Sequence, residues 1–292
     1  MPDFPLPGGG RAAVAAPAPG RGLGYWNGAS SAALDGHGTF VVAYRLREGV
    51  SPEGRAATVV ARSESGEQLE TVAVLEKDRF GAMSMERPAL VRLDDGRWRL
   101  YTCCATPGSK HWWIDVLDAD DPAGFAEADA QTVFPGDEHT AVKDPIVQRV
   151  DGGWHAWICC HPLDEPDEED RMSSAYATSE DGFTWTWRGS ALRPRPGRWD
   201  ARGARLTAIL ADGRAAYDGR ATKEENWFER TGLARRTAGG AGAFEQHSEG
   251  PVSAVRYLDV VPLPDGGYRI YYESPLPDAS HELRTELIPH RP

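Results

Sequence analysis

Three carboxylates in this chain stand at the heads of short apolar runs, each with a cation close by. They are Glu86 in Met85-Glu86-Arg87, Asp144 in Lys143-Asp144, and Asp200 in Trp199-Asp200-Ala201-Arg202. Two further heads have the same form without an acid, Tyr25-Trp26-Asn27 and Arg256-Tyr257. Brought into one partly desolvated pocket, like charges split their pKa values, so that one carboxyl keeps its proton while another stays ionised. Cleavage of a glycosidic bond asks for that pairing: an acid for the leaving oxygen and a base or nucleophile opposite it. The competing reading has these charges paired with one another and merely holding strands around an axis, because charged clusters in clefts mark function only statistically.

What would gather residues so distant in sequence is a repeat. An Asp-Gly hairpin followed by its returning strand recurs five times, marked by Phe40, Trp98, Trp154, Arg214 and Tyr268, at steps of 58, 56, 60 and 54 residues. A period in this range signals a solenoid, a propeller or an array. The third repeat reads as four strands. Asp144 to Val150 is followed by a turn at Asp151-Gly152-Gly153, where Gly accepts positive φ. Trp154 to Cys160 returns, and after an acidic loop come Met172 to Thr178 and Phe183 to Trp187. β-helix repeats are far shorter than this period, so the pattern predicts an all-β chain, a five-bladed β-propeller of four-stranded antiparallel blades. Residues 1–24, rich in Pro, Gly and Ala, are expected to be an irregular N-terminal segment, and residues 25–292 a single domain. In a propeller the first strand of each blade lines the central channel, which would bring the five heads together.

At these residues the chain resembles the five-bladed propeller glycoside hydrolases, families 43, 32, 68 and 130 among them. Lys143-Asp144-Pro145 looks like the Asp-Pro signature opening the third blade in family 43, where the Asp orients the general acid and tunes its pKa. The resemblance puts that acid, a Glu in the family, at the next blade, where this chain has Asp200, or Arg202 in another register. It puts the general base, an Asp in the family, at the first blade, where Trp26-Asn27-Gly28 stands, and Asn cannot accept a proton at neutral pH. Glu86-Arg87-Pro88 resembles the Glu-Asp-Pro-Arg signature of family 130 without its central Asp, and Val42-Ala43-Tyr44-Arg45 is similar to that family's first-blade strand. Family 130 includes phosphorylases, and Arg87, Arg202 and Arg256 are suited to holding phosphate bidentately. Ser179-Glu180-Asp181-Gly182-Phe183-Thr184-Trp185 resembles the Asp-box hairpin of sialidases, a structural device.

The expected function is therefore a carbohydrate-active, glycosidase-like enzyme. Asp144 positions and tunes, Glu86 or Asp200 donates the proton, and Asn27, Arg202 and Arg256 bind substrate hydroxyls or an anionic group. Trp26, Arg87 and Lys143 complete the binding set. His139 and Trp113 are further candidates, although a lone His is more often a surface residue and the Trp112-Trp113 pair is as well placed to pack between blades. Two alternatives stay open: a sugar- or partner-binding propeller that has lost its first-blade Asp, and phosphorolysis or another altered chemistry.

The formal charge of −12 argues against nucleic acid and anionic lipid as partners and accommodates neutral sugars, for which the ten Trp offer platforms. No cofactor or metal is expected. The adjacent pairs Cys103-Cys104 and Cys159-Cys160 lack the spacing of a zinc site and read as buried thiols, with one sulfur of each pair sent to either side of its strand. The acidic run Asp164 to Asp170 reads as a solvated loop, and Thr222 to Phe228 as a rim loop or lid. The N-terminus has no secretion signal, which points to the cytosol. Oligomeric state is left open.

Overall fold

The computed structural model describes residues 4–239 and 242–290. The first three residues of the expected irregular segment and the last two of the expected domain lie outside that range. Among its described residues, the segment ahead of Tyr25 contains one strand, β1 (Ala13–Ala16). Four consecutive strands then pair as antiparallel neighbours: β2 (Tyr25–Leu34), β3 (Phe40–Glu48), β4 (Arg55–Ser63) and β5 (Glu70–Glu76). The pattern repeats in β6 (Met85–Arg92), β7 (Trp98–Ala105), β8 (Trp112–Ala119) and β9 (Gln131–Phe134). A third quartet holds β10 (Thr140–Val150), β11 (Gly153–Pro162), β12 (Ser173–Ser179) and β13 (Thr186–Leu192). The fourth holds β14 (Gly203–Ile209), β15 (Arg214–Arg220), β16 (Arg230–Arg236) and β17 (Phe244–Gln246). The last three strands, β18 (Arg256–Pro262), β19 (Tyr268–Pro275) and β20 (His281–Ile288), are completed by β1, which pairs antiparallel with β20. The N-terminal segment thus supplies the outermost strand of the C-terminal quartet. This quartet and the first share one sheet through a single parallel pair, Trp26 with His281.

The hairpins that mark the repeat are built alike. The Asp side chain accepts the backbone N–H two residues on in four of them, Asp35 from His37, Asp95 from Arg97, Asp212 from Arg214 and Asp265 from Gly267, at 2.8–3.0 Å. Such a turn aligns the two strands without help from the rest of the fold.

Strand residues alternate between faces, and in inner strands such as β3 and β7 both faces are largely buried. Val41 and Ala43 of β3 pack with Leu90, Leu100 and Leu117 of the second quartet, while Phe40, Val42 and Tyr44 pack with Val261, Tyr271 and Leu283 of the fifth. Equivalent clusters join the second quartet to the third, the third to the fourth and the fourth to the fifth. The apolar core is therefore a series of layers between sheets. The first strands meet side by side, β2 beside β6, β6 beside β10, β10 beside β14, β14 beside β18 and β18 beside β2.

A second device locks neighbouring quartets. Arg99 Nη1 donates to Asp181 O at 2.6 Å and Tyr101 Oη to Gly182 O at 2.9 Å. Arg269 Nη2 and Tyr271 Oη repeat this on Ser65 O and Gly66 O, at 2.8 and 2.9 Å. Each clamped turn is held from within, Gly182 N–H donating to Ser179 Oγ and Gly66 N–H to Ser63 Oγ. Asp181 adds its own bonds to Phe183 and Thr184 N–H, so the Asp-box residues serve as a turn scaffold.

Gly182 has φ 78°, and a Cβ there would collide with Arg99 Nη1 and Tyr101 Oη. Gly182→Ala is therefore expected to cost about 1–3 kcal/mol in urea unfolding, combining backbone strain with a displaced clamp. Gly152→Ala, at φ 79° with nothing within 4 Å, should cost distinctly less. Equal losses would show that the clamp contributes nothing.

Candidate active site

Near its head every first strand slips register by one residue. The breaks fall between Gly28 and Ser31, Glu86 and Ala89, Lys143 and Ile146, Leu206 and Ala208, and Arg256 and Asp259. An extra residue on one strand bends it and re-aims a side chain. Within these bulges Ala29, Asp144 and Tyr257 take φ of 52°, 50° and 52°, a conformation that costs non-glycine residues on the order of 1–3 kcal/mol. The strain turns Asp144 and Tyr257 toward the place where the first strands meet.

The Tyr257 hydroxyl is the meeting point. It lies 3.3 Å from Asp144 Oδ2 and 3.4 Å from Glu86 Oε2, and it accepts from Arg205 Nη1 at 2.8 Å. Arg205 stacks over the Tyr257 ring at 3.8 Å and bridges Asp144 (2.8 Å) and Asp218 (2.6 Å). Arg45 bridges Glu86 and Glu273, the latter at 2.6 Å. Arg256 bridges Glu229 (2.7 Å) and Glu273 (2.9 Å), and Glu273 also meets His281 Nδ1 at 2.5 Å. All of these residues are buried.

The balance of burial against neighbouring charge differs from acid to acid. Burial pushes Glu86 up, but Arg45, Lys143, Arg47 and Arg256 overcome it and hold the carboxyl at about 2. Glu229 ends at about 2 in the same way, burial being outweighed by Arg256, Arg205 and Arg220. Glu273 is likewise depressed, with Arg256 and Arg45 prevailing over burial. For Asp218 burial wins over Arg205 and the carboxyl is raised. Burial also carries Asp259 to about 6, against a weaker pull from Arg87, whose Nη2 is 3.5 Å away. Tyr257 is driven well above its ordinary value by burial, so at neutral pH its hydroxyl is protonated and able to donate.

The structure brings some of the expected residues to this cluster and leaves others elsewhere. Glu86, Asp144 and Arg256 belong to it. Lys143 reaches within 4.0 Å of Asp144 Oδ2 while covering the Trp112 ring. Trp26 lies beneath Arg45, Arg47 and Arg256 and stacks on His281. Asn27 is turned to the N-terminal segment, its Nδ2 donating to Pro17 O at 2.7 Å.

Asp200 lies outside the cluster, because Arg195 (2.9 Å) and the Tyr217 hydroxyl (2.8 Å) hold it beside the fourth quartet's second strand. Arg87 turns its guanidinium away from the cluster, to Ser30 O and Asp259; only its backbone N–H touches Asp144 Oδ1, at 3.1 Å. Arg202 is taken up by Glu168 and Asp170 of the acidic run, which is therefore anchored rather than simply solvated. His139 is on the surface with Glu138 and Asp164, and Trp113 packs against the cluster of Met85 and Cys104. The four thiols are free; Cys103 and Cys104 face different clusters, and Cys103 Sγ accepts from Asp144 N–H.

Arg45, Arg205, Asp218, Glu229 and Glu273 escaped the sequence reading. Most of them share a signal. Arg45 and Glu273 come five residues after the hairpin aromatics Phe40 and Tyr268, each following a short run of mainly apolar strand residues. Each pairs directly with a first-strand head, Arg45 with Gly28 and Glu273 with Arg256, as Asp218 does with Arg205.

Solvent reaches the cluster at Lys143, Arg47 and Glu86, whose side chains are 15%, 16% and 6% exposed. The Thr222–Phe228 stretch lies against this mouth, with Trp227 5.6 Å from Trp26 and Phe228 edge-on to His281. A cavity of about 930 Å³ opens beside the cluster, lined by Thr140, Val142 and His161 but not by Glu86 or Asp144. Among the described residues no helix is long and apolar enough to cross a membrane.

No family model matches the chain, and no curated protein matches it. Solved structures do. A β-1,2-mannobiose phosphorylase from Listeria innocua, in complex with β-1,2-mannobiose, superposes with a TM-score of 0.63 at 12% identity over 98% of this chain and 93% of its own. A glycosyl hydrolase from Bacteroides ovatus gives 0.63 at 14% identity, over 96% and 92%. An α-L-arabinofuranosidase from Lactobacillus brevis gives 0.63 at 16%, over 89% and 90%. The chain shares the fold of these carbohydrate-active enzymes along nearly its whole length.

Glu229 is depressed from 4.5 to about 2, so the stability it contributes is complete above pH 4.5 and is lost as pH falls through 2. Glu229→Gln should be about 3–5 kcal/mol less stable than the parent at pH 7, since it leaves Arg256 and Arg220 facing a neutral group. The gap should close toward pH 2. A gap independent of pH in urea titrations would refute the ionic role.

Proposed function

We propose that the five quartets are the blades of a five-bladed β-propeller and that its axial cluster acts on a glycosidic bond. The observation that carries this reading is the convergence of Glu86 and Asp144 on one phenol hydroxyl within a cage of arginines. Two acids from different quartets share a proton-bearing group there, beside a mouth that water and substrate can reach. The shared fold with a mannobiose phosphorylase and an arabinofuranosidase supports carbohydrate as the substrate class.

Glu86 is the group that meets the substrate, being the partly open member of the pair. Asp144 is a positioning residue, set by the Arg87 N–H and by Arg205, and Tyr257 links the two acids. Asp200 takes no part in proton transfer in this reading, since its oxygens are committed to Arg195 and Tyr217.

A second observation favours phosphate over water as the nucleophile. Lys143 and Arg47 flank Glu86, while Asn27 stands where a hydrolase would keep its base. Phosphate is already an anionic nucleophile and needs cations to hold it rather than a base to activate it. Once bound, it would counter the cations that depress Glu86 and raise its pKa toward that of a useful acid.

The test is a panel of nitrophenyl glycosides and oligosaccharides, including β-1,2-mannobiose and arabino-oligosaccharides, run with and without phosphate. Turnover should fall about 10²–10⁴-fold in Glu86→Gln, in line with loss of a positioned acid or base. Lys143→Ala should raise KM for phosphate more than it lowers kcat. If no substrate turns over while sugars still raise Tm saturably, the propeller is a binding protein and the catalytic reading fails.

A further inference from the structure

The cavity beside the axial cluster has its own lining and its own chemistry. It is lined where the four-residue strand β9 ends and the chain continues through Pro135 and Gly136, and across from these by β12 and β13 of the third quartet. Trp187 on β13 lines it and is 48% exposed, unusual for a residue that is highly buried on average. Its ring is braced by Phe134 at 5.3 Å, and Phe134 is backed by Trp185 at 5.1 Å. The indole is thus both open and firmly placed, a costly way to leave a large apolar face unless something covers it.

Polar groups surround the platform. Ser173, Ser190 and His139 line the same space. Arg193 Nε donates to Ser190 Oγ at 2.9 Å, and among the described residues Arg193 enters no ion pair, so its remaining donors are free for a ligand. The combination suits a neutral polyol, whose C–H face stacks on an indole while its hydroxyls meet hydroxyl and guanidinium groups. Acids at the mouth, Asp137, Asp164 and Glu165, disfavour phosphate-bearing ligands, as does the overall charge.

We infer that this cleft is a second carbohydrate-binding site, distinct from the axial cluster, in which Trp187 is the stacking platform and Arg193 a hydroxyl-binding group. The volume of about 930 Å³ has room for more than a single sugar ring, so the ligand is an oligosaccharide rather than a monosaccharide. Its lining includes Val142, next in sequence to Lys143 on β10, so the cleft and the axial cluster share one strand. The choice of carbohydrate as ligand rests on the function proposed above, but the site uses none of the axial residues.

Isothermal titration with β-1,2-mannobiose, arabino-oligosaccharides and xyloglucan oligosaccharides tests this. Trp187→Ala should weaken binding of at least one probe tenfold or more, Trp187→Phe should restore part of it, and Arg193→Ala should weaken it severalfold. Turnover of a nitrophenyl monoglycoside should be unchanged in all three variants, and Glu86→Gln should keep the cleft's affinity. The inference is overturned if Trp187→Ala and Arg193→Ala both bind as the parent does, or if the parent binds no probe. Loss of binding in Trp187→Ala without turnover by any variant would uphold the cleft while removing the axial reading. Should Trp187→Ala lower Tm markedly, the decision falls to Arg193→Ala, whose side chain lies at the surface.

Discussion

Arg45, Arg205 and Arg256 each bridge two acids, and the resulting chain of charge runs through all five quartets. Arg45 joins the first quartet to Glu86 of the second and Glu273 of the fifth. Arg205 joins the fourth to Asp144 of the third, and Arg256 joins the fifth to Glu229 of the fourth. Tyr257 closes the remaining gap by touching Glu86 and Asp144 together. The apolar layers lie further out between the sheets, so where the first strands meet it is this network that holds them in place. Removing a member strands a buried partner, and the bulges that hold Asp144 and Tyr257 at positive φ bring these two members into the network.

Such a network is not an economical source of stability. Taking ions out of water costs several kcal/mol each, and the attraction between them does little more than offset that. What it supplies is discrimination: a sheet docked in the wrong order would bury unmatched charge. It also creates the electrostatic setting on which any chemistry depends. If Glu86 is the acid proposed above, so depressed a carboxyl donates a proton only once a ligand has changed the charge around it. Trp26, stacked between His281 and three guanidinium groups, and the Trp227 loop resting on it complete a site that is closed except beside Lys143 and Arg47.

The cleft at Trp187 has the opposite physics. It is open, uncharged at its indole platform, and lined where the short edge strand β9 ends. The two regions lie one residue apart along β10, which gives the third quartet a part in both.

The sequence by itself determined the repeat, because an Asp-Gly turn and its flanking β-branched and aromatic residues are local chemistry that needs no distant partner. It also marked Glu86, Asp144 and Arg256, whose position at the head of a first strand follows from the repeat's register. It could not separate Asp200 from them, since its neighbours Arg195 and Tyr217 claim it only after the fourth quartet has folded. Nor could it tell that Arg87 turns away while Arg205 turns in, for that depends on a bulge whose register is set by the facing strand. Only the tertiary structure decided which charges pair, how far each carboxyl is depressed or raised, and where a surface is left uncovered. Those properties arise from burial and from distances of a few ångströms between residues that are anywhere from 5 to 228 positions apart, and no single local pattern encodes them.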